Sequence, residues 1–79
     1  MPIVYSWFVC VVPSNPCSPS SYIKITGLPI CEGVEKVCAI YAQVDPNNTN
    51  RPLIPNSLCS EIAMALSNEM NTDNVKLRE

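Results

Sequence analysis

No histidine occurs anywhere in the 79-residue chain. That absence removes the usual imidazole base from any cysteine nucleophile and excludes the common Cys/His zinc patterns. Cys-x-x-Cys is missing too, so neither a thioredoxin-type redox motif nor the paired knuckles of a four-cysteine zinc site can be built. The two glycines, Gly27 and Gly33, lie in no G-x-G-x-x-G or Walker pattern, and "DPNNTN" lacks the glycine and closing glutamate of an EF-hand. Basic residues number five (Lys24, Lys36, Arg51, Lys76, Arg78), are scattered, and leave a net charge of -2. No phosphate-tracking stripe can form from them, so nucleic acid is not an expected partner. Long hydrophobic runs are also lacking. The apolar start "MPIVYSWFVCVV" stops at Pro13, too short to cross a bilayer, so no transmembrane segment is predicted. It also has neither the basic n-region nor the cleavage site of a signal peptide. Glu32 and Glu35 are expected to be solvated charges at a hairpin tip. No catalytic, cofactor-binding or metal-ligating set remains, and the chain is read as non-enzymatic.

What is present is sulfur and proline: five cysteines and eight prolines, in a chain 47% hydrophobic and 15% charged. The composition is globular, but a domain this short buries a modest core and often needs staples. Cysteines without zinc or redox spacing point to disulfides, and hence to a secreted or extracellular protein. The alternative is a set of buried cytosolic thiols acting as small hydrophobes. On the export reading, the numbered chain is expected to be one whose signal has been removed. Cys31 and Cys38, in "CEGVEKVC", close a loop of about eight residues worth roughly 2–3 kcal/mol of loop entropy. They are predicted to pair as a staple across a hairpin, with Gly33 easing the turn. Cys17 lies in a Pro/Ser-rich loop and behaves as a tether. For Cys59, pairing with Cys17, pairing with Cys10 and simple packing are all open, with Cys17–Cys59 the candidate pair and Cys10 the odd one. Five cysteines cannot all pair within one chain, so at least one is free or bridges chains.

The chain reads as a single domain over 1–79. Residues 3–12 form a first strand, apolar on both faces, with Ile3, Tyr5, Trp7, Val9 and Val11 on one side and Phe8 and Cys10 on the other. Residues 13–21, "PSNPCSPSS", form an irregular loop. Residues 22–44 contain two alternating runs expected to pair as an antiparallel hairpin, with Ile23 and Ile25 facing one way and Tyr22, Lys24 and Thr26 the other. Residues 45–52 read as a polar loop carrying the sequon Asn47-Asn48-Thr49, taken as a solvated turn. Residues 57–70 form the one helix, with Leu58, Cys59, Ile62, Leu66 and Met70 as its stripe, Ala63 and Ala65 beside it, and Asn56 as N-cap. Residues 74–79 make a short closing strand. The predicted fold is a small α+β domain: an antiparallel sheet of three to four strands and one helix in the C-terminal half, stapled by disulfides.

From "CEGVEKVCAIYA" through "RPLIPNSLCSEIAMALSNEMNTDNVKLRE" the chain resembles the short exported proteins of Bacteroidota bacteria that carry a domain-of-unknown-function label. The shared pattern is a paired-cysteine stretch before an "-A-A-" strand, a Pro-containing loop, a helix of the "I-x-x-A-L" kind and an ending like "NVKL". It covers about two-thirds of the chain and leaves out Cys10, Cys17 and Cys59. The resemblance implies export and brings no activity with it.

An odd cysteine and a two-faced apolar strand in so small a domain together suggest a chain made to associate. An unpaired strand edge is a template for another chain, and strand donation polymerises small exported subunits. The expected function is a secreted structural subunit that binds copies of itself, as a filament or surface assembly, through Ile3, Tyr5, Trp7, Phe8, Val9 and Val11. The first strand would then be exchanged between subunits. Two other readings stand beside it: a strand that completes its own sheet in a monomer, and a secreted inhibitor or toxin-like module that meets a foreign protein through its loops.

Overall fold

A computed structural model describes residues 4–33 and 35–78; Ile3 lies outside them. The elements are β1 (Tyr5–Cys10), a 3-10 turn (Pro19–Ser21), β2 (Tyr22–Lys24), β3 (Lys36–Asp45), β4 (Asn48–Leu53), α1 (Asn56–Asn68) and β5 (Val75–Arg78). The strands form one antiparallel sheet in the order β2-β1-β3-β4, with β5 also on β3. β4 pairs with β3 at Gln43–Asp45 and β5 with β3 at Lys36–Ile40, so the two lie end to end along one edge of the longest strand. The α+β class, the helix in the C-terminal half and the disulfide staples are as expected. The sheet has five strands rather than three to four because residues 45–52 are not all loop.

The expected hairpin of residues 22–44 does not form. β1 lies between β2 and β3 and pairs with both. A strand apolar on both faces gains most from the middle of a sheet, where neighbours cover its edges and one face is packed. The connection from β2 to β3 crosses with left-handed backbone at Gly27 (φ 85°) and Gly33 (φ 109°), conformations open to residues without a Cβ. In β2 the Tyr22 side of the alternation is the inner one. Tyr22 stands opposite Cys10 and is fully buried, whereas Ile23 stands opposite Val9 and is 48% exposed. The Tyr22 hydroxyl donates to the Pro16 carbonyl, which satisfies its polar end inside the core.

The segment read as a polar loop is a second hairpin. Asp45 Oδ1 accepts the Asn47 N–H at 2.8 Å, an Asx turn that reverses the chain into β4. Pro52 sits in β4 opposite Val44 with its side chain buried; a proline is tolerated there because β4 ends the sheet path. The sheet curls until β4 approaches β2. Arg51 Nη1 bridges them, donating to the carbonyls of Tyr22 (2.6 Å) and Ser20 (3.2 Å).

The core holds Phe8, Tyr22, Val37, Ile40, Ile62, Val75 and Leu77, all sealed from solvent. Val37 and Ile40 are three apart in a strand, a spacing that places residues on opposite faces. Both reach the core because the register slips between Val37↔Leu77 and Ala39↔Lys76, leaving Cys38 as the inserted residue of a β-bulge.

α1 begins one residue earlier than expected. Asn56 is its first residue, and Pro55, which makes no side-chain cap, stands at the N-cap. The buried stripe is Leu58, Ile62 and Ala65, with Leu66 partly buried. Met70, expected on that stripe, is exposed because the helix has already ended: Glu69 is left-handed (φ 53°). Its N–H reaches Leu66 O, while the Met70 N–H reaches Ala65 O at 3.1 Å, which is a Schellman ending. Ala63 is exposed as well. β5 matches its alternation, Val75 and Leu77 inward.

Candidate functional site

The cysteines are placed by the fold as two bridges and one buried thiol. Cys17 joins Cys59, tying the Pro/Ser-rich loop to the first turn of α1, and Cys31 joins Cys38. The second bridge is a staple, though not across a hairpin: it ties the crossing segment to the bulge in β3. Cys10 is free but only 4% exposed, between Phe8 and the buried Tyr22. In this position it cannot reach another chain. Burial pushes its thiol pKa up, against the backbone of Val12, the Tyr22 hydroxyl and the charge of Arg78, which pull it down.

The outer face of the sheet is where the apolar side chains of β1 come to light. Residues opposite each other in the ladder share a face. Trp7 pairs with Tyr41 and Val9 with both Ala39 and Ile23, so Trp7, Val9, Ile23 and Tyr41 lie together, with Tyr5 beside them. The Tyr5 and Tyr41 rings stack at 5.6 Å with 22° between planes, and Trp7 tilts onto Tyr41 at 5.3 Å. Offset and tilted contacts of this kind fix the rings relative to one another. Tyr5 is 52% exposed, Ile23 and Tyr41 are exposed, and Trp7 and Val9 are half-buried. Of the residues expected to mediate association, Tyr5, Trp7 and Val9 are on this face. Val11 is exposed just past the end of β1, Ile3 lies outside the described residues, and Phe8 belongs to the core instead. Phe8 fails for a simple reason: it alternates with Trp7 and Val9, and its partner is Ile40. Ile23 and Tyr41 were not expected here. Tyr41 carried the signal in its period-2 alternation with Ala39, but only the strand order says that this side meets β1.

The expected free edge of the first strand is occupied. β1 is paired on both sides within its own chain, so its backbone offers no template to a second subunit. What it offers is side chains.

Beside Tyr5 and Tyr41 an open cleft of about 180 Å³ runs between the sheet and the start of α1, reaching Ser57 and Glu61. Glu61 is a tether. Its carboxylate accepts hydrogen bonds from the Thr72 hydroxyl, the Asn74 N–H (3.2 Å) and the Asn74 side-chain amide (3.3 Å). Desolvation pushes its pKa up, and these hydrogen bonds outweigh that and hold it below the usual glutamate value. Glu32 and Glu35 are exposed.

Among the described residues no group of three His, Cys, Asp or Glu side chains is arranged to hold a metal ion, and no helix is long and apolar enough to cross a membrane. Comparison of the chain with models of protein families, with curated proteins and with solved structures gives no match.

Proposed function

We propose that this chain is an exported, non-enzymatic structural subunit that associates with copies of itself through the outer face of its sheet. One observation carries the reading: Tyr5, Trp7, Val9, Ile23 and Tyr41 form an uncharged, aromatic-rich patch on a face that α1 does not cover. Aromatic groups of this kind are enriched at the anchors of protein interfaces. Lacking charge, the patch can meet its own copy without like-charge repulsion, as a two-fold contact demands. Two disulfides in a domain this small favour an oxidising compartment, and the resemblance to exported Bacteroidota proteins agrees with that placement. Because β1 is already paired on both sides, association proceeds by side-chain packing rather than by strand donation.

The test is analytical ultracentrifugation of the oxidised chain over a range of concentrations, with electron microscopy for filaments. Wild type is expected to self-associate, and the double variant Trp7→Ser, Tyr41→Ser to remain monomeric with its far-ultraviolet circular dichroism unchanged. A wild-type monomer at every concentration would defeat the subunit reading. If that monomer captured a foreign protein through the same patch, the binding-module reading would replace it.

A further inference from the structure

We propose that Cys10 and the Cys31–Cys38 disulfide form an exchange set, in which the thiol passes from Cys10 to Cys31 and makes Cys31 a latent covalent attachment site. The starting observation is one of register. β1 and β3 pair Phe8 with Ile40 and Val9 with Ala39, so the next positions in line are Cys10 and Cys38. The Val44 N–H donates to the Val4 carbonyl at 2.7 Å, which marks the even-numbered β1 positions as the hydrogen-bonded pairs of this ladder. At such pairs the Cα atoms are roughly 5.5 Å apart, inside the range that a disulfide spans. Cys10 and Cys38 also line the same surface cavity, together with Ile30 and Arg78. Cys38 is the inserted residue of the bulge, a position that re-aims a side chain. Cys31 sits on the crossing segment, whose described residues form no helix or strand and leave Leu28 and Ile30 80% and 94% exposed.

The exchange balances without any added oxidant or reductant. The Cys10 thiolate attacks the Cys38 sulfur; the Cys10–Cys38 bond forms as the Cys31–Cys38 bond breaks. The electron pair leaves on Cys31, which takes up a proton equivalent to the one Cys10 lost. One thiol and one disulfide exist before and after, but the thiol has moved from the core to a surface segment. There it can attack an external dialkyl disulfide, forming a mixed disulfide and releasing one external thiol. Burial holds Cys10 protonated, with Tyr22 of β2 and Arg78 of β5 as the ionisable groups facing it, so the step is gated by brief opening of the core.

The folded, oxidised chain is incubated anaerobically at pH 8 with N-ethylmaleimide, then cleaved with trypsin without reductant. Cleavage after Lys24 and Lys36 isolates residues 25–36. If exchange occurs, that peptide is released unlinked with one label on Cys31, while Cys10 is found joined to Cys38. With oxidised glutathione in place of the maleimide, the same peptide gains one glutathione. A label on Cys10 with Cys31–Cys38 intact would overturn the proposal, as would no label after days. The variant Cys31→Ser is the second arm. Treated with oxidised glutathione, it is expected to form a Cys10–Cys38 bridge, and failure to do so in the folded variant would also overturn the proposal.

Discussion

The guanidinium of Arg51 donates to the carbonyl of Tyr22 at 2.6 Å, joining β4 to β2, strands at opposite ends of the sheet path. The same nitrogen reaches the Ser20 carbonyl at 3.2 Å. One half-buried cation thereby closes the curl that brings the two ends of the sheet together over the core.

Arg51→Ala is therefore expected to lower stability by about 1–2 kcal/mol, the range of a partly solvated hydrogen bond to a charged donor. Arg51→Lys is expected to recover only part of this, since an ammonium lacks the planar fork. Urea unfolding of the oxidised chain measures both; equal stability of all three proteins would show that the curl holds without the bridge.

Phe8 and Trp7 are neighbours in sequence with opposite fates. Phe8 is sealed in the core against Ile40, and Trp7 is half-buried on the outer face. Phe8→Ala is expected to cost about 3–5 kcal/mol through lost burial and the cavity left behind, enough to unfold a marginal domain. Trp7→Ser is expected to leave the fold intact and weaken association. Thermal melts read the first effect and sedimentation the second.

The two disulfides should differ in worth. Cys17–Cys59 closes a sequence separation of 42 and Cys31–Cys38 one of 7. In the loop-entropy account these correspond to about 4 and about 2.5 kcal/mol. The double variant Cys17→Ser, Cys59→Ser is thus expected to melt well below Cys31→Ser, Cys38→Ser. The reverse order, seen by calorimetry, would mean that denatured-state structure or native packing outweighs loop length.

Acid should loosen the link between α1 and the loop that leads into β5. The Glu61 carboxylate binds protons less readily in the folded chain than in the unfolded one, because Thr72 and Asn74 donate to its ionised form more than desolvation opposes it. Its contribution is fully present above the unfolded value near 4.5 and is lost as pH falls through the lower folded value. Glu61→Gln is expected to be less stable than wild type at neutral pH and to show a shallower loss of stability below pH 4.5. Denaturant midpoints taken from pH 7 to pH 3 test this; parallel curves for the two proteins would contradict it.

Local pattern carried the elements whose burial follows from their own periodicity. Val75 and Leu77 alternate with Lys76 and Arg78, and β5 buries just that pair. Leu58 and Ile62 mark the buried side of α1 from their spacing alone. The Cys31–Cys38 bridge was legible because two cysteines so close around a glycine have few other partners. The patch on the outer sheet face was half legible: Tyr5, Trp7 and Val9 share a parity, but Ile23 and Tyr41 join them only through cross-strand pairing. Which side of β2 is in was not legible, because three residues give too little alternation to decide it, and Tyr22 can enter the core once Pro16 accepts its hydroxyl.

By itself, then, the sequence determined the α+β class, the helix and the closing strand. It also determined that at least one of five cysteines would find no partner within its own chain, since composition and short-range periodicity are local properties. Tertiary structure alone decided that β1 lies between β2 and β3, that the bulge at Cys38 keeps both Val37 and Ile40 inside, and that Cys10 stands next in line to a disulfide sulfur. Those are matters of strand order and register, which arise from contacts between residues far apart in the chain and leave no mark on any short stretch of it.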